Sequence, residues 1–277
     1  MRRITALSLG TVTMAVAVTA AAGASATAAG TLPTLALTLT GNSITAPSSV
    51  PAGAVNVVST VSGEAQGSPT LVRLDPGVTF QQAFAAAASH GGDANGLQGL
   101  ASIVFNSVAN KGSSSAQTML TPGNYVALDT TKNNPTKWPE TGFTVTSTAS
   151  PAPLPAAGAT VKTEEFRILG PTRMHDGELV RFENDGFLVH MVLALPVKNS
   201  AAAKKLTALL LAGKNRKAMG LVSGPPPGFV GVFSPGGLVQ ETLNAKPGTY
   251  VLVCFMNTQD GREHTQLGME HTVTITK

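Results

Sequence analysis

The chain contains little cysteine and few charged residues. It has one cysteine in 277 residues, Cys254, so no internal disulfide can form. Charged residues make up 12% of the chain and aromatic residues 5%. The formal net charge is +4, and it falls to +2 without Arg2 and Arg3. A charge this weak and dispersed does not suit a nucleic-acid-binding surface, so no nucleic-acid partner is expected.

Two common enzyme motifs are also absent from the sequence. There is no G-x-S-x-G sequence, the turn that carries a nucleophilic serine in many hydrolases. There is no G-x-x-x-x-G-K-[ST] sequence, the loop that wraps nucleotide phosphates. Neither a hydrolase of this type nor a phosphate-binding loop of this type is therefore expected.

The N-terminus has the pattern of a secretory signal peptide. Arg2 and Arg3 precede an apolar run at residues 4–20, and residues 24–26 supply a small-x-small cleavage site. The alternative is a membrane anchor, which the short run and its gradual change into small residues disfavour. We therefore expect residues 1–26 to be removed on export, leaving a secreted, extracellular chain without a transmembrane segment.

Glycine and proline, by contrast, are plentiful, with 29 and 18 residues. Short β-prone runs alternate with turn signals, a pattern typical of antiparallel Greek-key sandwiches. The same order of runs, with one helical segment among them, occurs twice. The only two tyrosines, Tyr125 and Tyr250, lie just after a Pro-Gly pair in each copy. A repeat of about 125 residues indicates two similar domains.

The sequence therefore predicts an all-β fold of two tandem Greek-key β-sandwich domains, each with one inserted α-helix. We place these domains at residues 34–148 and 162–277. The segment between them, residues 149–161, is rich in proline and alanine, which is typical of a semi-rigid extended linker.

Capping signals locate the two helices. Thr79 and Gln82 form a capping box before the first helix, and the glycines at residues 91–92 end it. Asn199 or Ser200 caps the second helix. Both helices are expected to lie outside the sandwich cores.

Four side chains that can bind a metal occur in the second half. Cys254 ends a β-prone run, and His264 and Met269 follow it across one polar loop. Earlier, His190 opens a strand after an Asn-Asp-Gly turn. A thiolate, two imidazoles and a weak axial thioether form the ligand set of blue-copper electron-transfer sites. The simpler alternative is that Cys254 is a buried, inert residue unrelated to the other three.

The pattern of these residues resembles the cupredoxin family. A strand ends in an Asn-Asp-Gly turn, a histidine follows, and P-G-x-Y-x-x-x-C, a histidine and a methionine come later. The resemblance implies one copper ion in the second domain, bound by His190, Cys254, His264 and Met269. The nine residues between Cys254 and His264, and the four between His264 and Met269, are similar to the spacings of copper nitrite reductases. Cupredoxins usually have asparagine after the first histidine, where this chain has Met191.

The same resemblance argues against an enzyme. Five histidines, without a His-Cys-His or His-x-His sequence, are too few for the trinuclear cluster of multicopper oxidases. Val253 stands before Cys254, where nitrite reductases place a histidine that reaches a catalytic copper. We therefore expect no catalytic residues. His90, His175 and His271 are interpreted as residues that do not bind metal.

The first domain lacks the ligand set. Asp129 stands at the place of Cys254, and Thr70 stands near the place of His190. The loop that contains Trp138 has neither histidine nor methionine. The first domain is therefore expected to be a metal-free copy of the second.

Together these patterns predict an exported copper-binding protein that transfers single electrons or holds copper. It would work with a redox partner or a copper donor that the sequence does not identify. The alternative is a metal-free extracellular module that uses its sandwiches for binding or structure.

Overall fold

The computed structural model describes residues 31–89, 93–132, 134–227 and 231–277. Three of the predictions concern residues outside these ranges. They are the signal peptide at residues 1–26, the glycines at residues 91–92 and His90.

Short strands make up most of the first half. In the strand Thr34–Leu39 (β1), Leu35, Leu37 and Leu39 are buried and the residues between them are exposed, as the period of two in a strand requires. The other strands are β2 (Ile44–Thr45), β3 (Ser49–Pro51), β4 (Gly53–Gly67), β5 (Pro69–Leu74), β6 (Ala101–Asn106), β7 (Ala109–Leu120), β8 (Gly123–Asp129) and β9 (Glu140–Thr146). The helix α1 (Phe80–Ser89) follows β5, and 3₁₀ turns span Ala94–Leu97 and Pro135–Lys137.

The second half has a similar order of elements. Its strands are β10 (Ala159–Glu164), β11 (Arg167–Leu169), β12 (Arg173–His175), β13 (Leu179–Asn184), β14 (His190–Met191), β15 (Leu193–Val197), β16 (Val232–Phe233), β17 (Leu238–Thr242), β18 (Gly248–Val253) and β19 (Glu270–Thr276). Two helices, α2 (Ser200–Leu211) and α3 (Asn215–Met219), follow β15, and a 3₁₀ turn spans His264–Leu267.

The two halves have the same pattern of strand order and strand direction. One sheet of the first half has the order β2-β1-β4-β7, and the other has the order β3-β9-β8-β5-β6. The corresponding strands of the second half are ordered β11-β10-β13-β17 and β12-β19-β18-β15, with β14 paired to β16. In both halves the pairs β1–β4 and β10–β13, and the pairs β3–β9 and β12–β19, are parallel. The predicted fold class, all-β sandwiches with an inserted helix, is confirmed.

The two halves meet edge to edge through strands β7 and β17. Only Gln117 and Gln240 pair between these strands, and the side-chain amide of Gln240 donates to Oε1 of Gln117 at 2.8 Å. This pair joins one sheet of each half into a single sheet of eight strands. Residues Leu32–Lys277 form one compact unit. The division into two domains at residues 149–161 therefore stays a proposal.

The predicted linker is held along the joined sheet. The carbonyl of Ala152 accepts from the N–H of Ala54 at 2.8 Å, and the carbonyl of Pro155 accepts from Arg181 at 3.0 Å. Strand β10 begins at Ala159, so the last three residues of the predicted linker are already in a strand. The proline content of the segment is typical of an extended spacer, but it gives no information about these tertiary contacts.

The helix caps agree with the sequence signals. The N–H of Gln82 donates to Oγ1 of Thr79 at 3.3 Å, and the N–H of Thr79 donates back to Oε1 of Gln82 at 2.8 Å. Asn199, rather than Ser200, caps α2, because its Oδ1 accepts from the N–H of Ala202 at 3.0 Å. Helix α3 was not expected from the sequence, since five residues are too few to show a helical period.

Both tyrosines brace the turn that precedes their strand. The hydroxyl of Tyr125 donates to the carbonyl of Thr121 at 2.9 Å, and that of Tyr250 donates to the carbonyl of Lys246 at 2.7 Å. Such a bond to a carbonyl a few residues upstream is the tyrosine corner known from Greek-key sandwiches.

We expect Tyr250→Phe to lower the free energy of unfolding by about 1 kcal/mol, the net contribution of one hydrogen bond. Urea denaturation followed by circular dichroism measures this change. Thr272→Val is the matched control, because it removes a hydroxyl from an exposed position on the neighbouring strand β19. The control should change stability by less than ~0.5 kcal/mol. Equal effects of the two substitutions would show that the corner contributes nothing.

Candidate metal centre

Strand pairing brings His190 and Cys254 together across 64 residues of sequence. Strands β15 and β18 are antiparallel neighbours with Leu193 opposite Val253. The short strand β14 lies just before β15, so His190 reaches the end of β18, where Cys254 follows. The 3₁₀ turn that begins at His264 then returns the chain to the same place.

Three ligating atoms converge at this point. Nδ1 of His264 lies 3.3 Å from Sγ of Cys254, and Nδ1 of His190 lies 3.9 Å from the same sulfur. The two Nδ1 atoms are 3.2 Å apart, and all three residues have 0% exposure. Among the described residues, this is the one group of three or more such side chains close enough to hold a metal ion.

The size of this triangle suits a metal ion. A triangle with these three sides has a circumradius of about 2.0 Å, so one point lies that far from both nitrogens and the sulfur. Imidazole nitrogens bind zinc, for comparison, at ~2.0–2.1 Å and thiolates bind it at ~2.3 Å. A small outward movement of the sulfur is therefore enough for all three atoms to bind one ion.

The pKa values of the two histidines favour the neutral imidazole forms that can bind a metal ion. Burial, followed by the neighbouring His264, lowers the pKa of His190 to about 4, against a smaller opposing effect of Glu165. Burial also lowers the pKa of His264, opposed by the charges of Asp93 and Glu165. Burial raises the pKa of Cys254 to about 11, against the N–H groups of Met191 and Met256, which lower it. At neutral pH both imidazoles are neutral, and only the thiol must lose a proton to bind a metal.

The two imidazoles also leave buried polar atoms unsatisfied. Nε2 of His190 and Nε2 of His264 are both buried without a hydrogen-bond partner. Buried polar atoms of this kind are rare, because each loses its bond to water without gaining another. On each ring the other nitrogen, Nδ1, faces the sulfur. A cation bound by both Nδ1 atoms and the sulfur would use the Nδ1 lone pairs and place the proton of each ring on Nε2.

Met269 is fully buried, and its backbone is tied to two of the three residues. Its N–H donates to the carbonyl of His264 at 3.0 Å, and its carbonyl accepts from the N–H of Cys254 at 3.4 Å. These bonds fix the place of Met269 next to the cluster. Its role as an axial ligand stays a prediction.

The nine residues between Cys254 and His264 form a small closed loop. Asn257 and Glu263 pair across its base, and the N–H of His264 donates to the carbonyl of Met256 at 2.8 Å. The carboxylate of Glu263 accepts two bonds from the side chain of Asn215, at 2.8 and 2.7 Å, which anchors the loop on α3. This closure explains how a long, charged loop still returns His264 to Cys254.

Sequence reasoning missed the residues that position His190. Oε1 of Glu165 lies 3.8 Å from Nε2 of His190 and accepts from the N–H groups of Phe187 and Leu188. A Cβ on Gly186 would lie 2.5 Å from that Glu165 oxygen and 3.0 Å from Nε2 of His190, so a larger residue there would displace the Glu165 carboxylate. No sequence signal marks Glu165, because it lies 25 residues before His190, in the turn between β10 and β11.

Asn184 and Met191 also make hydrogen bonds that position the residues around His190 and Cys254. The side-chain amide of Asn184 donates to the carbonyls of Leu188 at 2.8 Å and Phe233 at 2.9 Å, and its Oδ1 accepts from Gly186. The Asn-Asp-Gly turn signal could have identified Asn184. Met191 does not remove the link between the two parts of the site, since its N–H lies 3.4 Å from Sγ of Cys254.

Matching contacts identify the corresponding positions in the first half. The N–H of Ser68 donates to Oδ1 of Asp129 at 3.0 Å, as the N–H of Met191 does to Cys254. The N–H of Asp129 bonds the carbonyl of Pro139 at 3.1 Å, as Cys254 bonds Met269. The place of His190 is therefore taken by Gly67, the residue before Ser68. The sequence placed Thr70 near that position, and Thr70 lies three residues after Gly67.

The remaining described histidines lie away from the cluster. A ring nitrogen of His271 is 3.1 Å from the carbonyl of Pro171, and Nδ1 of His175 is 2.8 Å from the hydroxyl of Thr276. Neither belongs to the group of ligating side chains.

Comparison with known proteins gives similarities to copper proteins of solved structure. An auracyanin from Roseiflexus castenholzii is 19% identical, with 44% of this chain and 100% of that chain covered and a TM-score of 0.26. Auracyanin A, a "blue" copper protein from Chloroflexus aurantiacus, is 17% identical over 42% of this chain and 99% of that one, with a TM-score of 0.23. A copper-containing nitrite reductase from Thermus scotoductus is 11% identical over 88% of this chain and 68% of that one, with a TM-score of 0.24.

No protein-family model and no curated protein matches the chain. The strand order and the cluster of His190, Cys254 and His264 agree with the cupredoxin-like protein that the sequence predicts. Among the described residues, no helix has the length and apolar character to span a membrane.

Proposed function

We propose that this chain is a copper-binding, cupredoxin-like protein with one copper ion in its second half. His190, Cys254 and His264 would hold the ion, and Met269 would be a fourth, weaker ligand. The observation that carries this proposal is the triangle of Nδ1, Nδ1 and Sγ, whose centre lies about 2.0 Å from each atom. Its two imidazoles and one sulfur match the donor set of a blue-copper centre.

The chain's own residues suit one-electron transfer or copper holding. When bound, copper would supply a one-electron redox change. Full burial of the three ligating residues excludes water from them. The N–H groups of Met191 and Met256 point at Sγ of Cys254 and lower its pKa, so they stabilise negative charge on the sulfur. Hydrogen bonds to this sulfur and the axial ligand are the features that tune the reduction potential of such centres.

We further propose the cellular setting and organisation that the sequence predicts. The signal-like residues 1–26 would direct the chain out of the cell, where it would meet a redox partner or a copper donor. Residues 34–148 and 162–277 would be two copies of one domain, and the first would lack metal because Gly67, Asp129 and Pro139 occupy the places of ligands. No enzymatic activity is proposed.

Reconstitution with copper tests the proposal. The purified full chain is incubated with Cu(II) without reductant, desalted, and examined by visible absorption and elemental analysis. We expect one copper per chain and an intense charge-transfer band. His264→Gln should lose both, whereas His271→Gln should keep both, because His271 bonds the Pro171 carbonyl away from the cluster. A colourless, copper-free chain would instead favour the alternative of a metal-free binding or structural module.

A further inference from the structure

A cavity of about 630 Å³ lies in the first half, between helix α1 and the sheet that contains β5, β6 and β8. Its size is within the ~300–1,000 Å³ range of small-molecule sites. The described residues that line it are all uncharged. They are Thr70, Val72, Phe80, Ala83, Phe84, Ala87, Ala88, Ala94, Leu97, Ile103, Asn106, Leu128, Thr130, Pro135, Thr136, Trp138, Val232 and Met256.

The cavity is present because helix α1 has small side chains where helix α2, the corresponding helix of the second half, has large ones. Helix α2 buries Leu206 and Leu210 against strands β15 and β18. Helix α1 buries only Ala83, and four of its last five residues are alanine. The same helix position in the two halves is therefore filled in one and open in the other.

The polar groups in the cavity wall are few and already hydrogen-bonded. The amide of Asn106 donates to Oγ1 of Thr70 at 2.6 Å, and the hydroxyls of Thr70 and Thr130 lie 3.1 Å apart. Nε1 of Trp138 donates to the carbonyl of Lys132 at 2.6 Å. The hydroxyls of Thr70 and Thr130 also bond Ser68. These polar groups therefore bond one another and their neighbours, and the cavity offers mainly apolar surface to a ligand.

We propose that this cavity binds a neutral, mostly apolar small molecule that contains rings. The rings of Phe80, Phe84 and Trp138 offer aromatic surface to such a ligand. A charged ligand is disfavoured, because among the described lining residues nothing would pair with its charge after it leaves water. Met256 lines this cavity and also borders the candidate metal centre, where its carbonyl accepts from the N–H of His264. Binding of an apolar ligand in the cavity nevertheless requires no metal ion.

Titration with N-phenyl-1-naphthylamine tests the proposal. This probe is neutral, has three aromatic rings and fluoresces strongly only in apolar surroundings. Trp138 is the only tryptophan of the chain and lines the cavity, so energy transfer to a probe bound there quenches its emission. We expect one saturable site per chain, with probe fluorescence and Trp138 quenching following the same curve. Absence of saturable binding, or binding without quenching of Trp138, overturns the proposal.

Two substitutions that fill the cavity complete the test. Ala87→Leu and Ala83→Leu each place a larger side chain in the lining, and each should weaken probe binding at least tenfold. Ala85→Leu is the matched control, because Ala85 is exposed on the same helix and is not part of the lining. It should bind the probe as the unchanged chain does. Urea denaturation shows that each variant is folded; Ala87→Leu, at a half-buried position, decides the test if Ala83→Leu unfolds. A folded cavity variant that binds as well as Ala85→Leu overturns the proposal.

Discussion

Cys254→Ser is expected to abolish the intense visible band of the copper-loaded protein and to weaken Cu(II) binding by more than 100-fold. The band requires the covalent link between thiolate sulfur and copper, which a hydroxyl does not replace. Changes in the residues around metal ligands already cost ~10–100-fold in affinity, so loss of the ligand itself should exceed that range. Visible absorption and competition with a chelator of known affinity measure the two effects.

Met269→Gln is the matched variant for this experiment. It changes the proposed axial ligand, so the colour should remain and the reduction potential should fall. Loss of colour on Met269→Gln, or retention of colour on Cys254→Ser, would contradict the proposed ligand roles. Thermal unfolding of the metal-free variants shows whether either substitution disturbs the fold, since both residues are fully buried.

The apparent affinity for Cu(II) is expected to rise about tenfold per pH unit between about pH 7 and pH 10. The pKa of His190 is lowered to about 4 and that of His264 is lowered by burial, so neither imidazole carries a proton in this window. The pKa of Cys254 is raised to about 11, so the thiol carries one. Binding must release that proton, and each unit of rising pH therefore favours binding by the same factor.

Competition titrations at several pH values, corrected for protonation of the chelator, measure the slope. The protons released on adding Cu(II) to weakly buffered protein give an independent count, which should be one. His175→Gln serves as control, since His175 lies near the C-terminus and outside the cluster, and it should leave the slope unchanged. A flat profile would mean that Cys254 is already a thiolate in the metal-free protein.

Local signals made much of the fold predictable. The alternating leucines of β1 and the capping box of Thr79 and Gln82 depend on neighbours within a few residues, so the sequence carries them fully. Helix α3 and the edge contact of Gln117 with Gln240 depend on tertiary packing, and no local pattern indicates either.

The candidate site was predictable in chemistry but not in detail. Four unusual side chains with a characteristic spacing suggested a copper ligand set, and His190, Cys254 and His264 do come together. Glu165 and Gly186 could not be inferred, because what they do depends on a loop crossing from another part of the sheet. The offset between Thr70 and Gly67 had the same origin, since only strand register decides which N–H faces Asp129.

Full burial of the three proposed ligands affects how quickly a metal ion could exchange. His190, Cys254 and His264 expose 0% of their surface, so an ion has no open route to them in the folded state. Entry and exit then require local opening, and such openings vary widely in cost between segments of one protein. In the closed loop at residues 257–263, residues 257 and 259–262 are exposed. The rate at which this loop opens, rather than the affinity of the site, would set how quickly copper is acquired or surrendered.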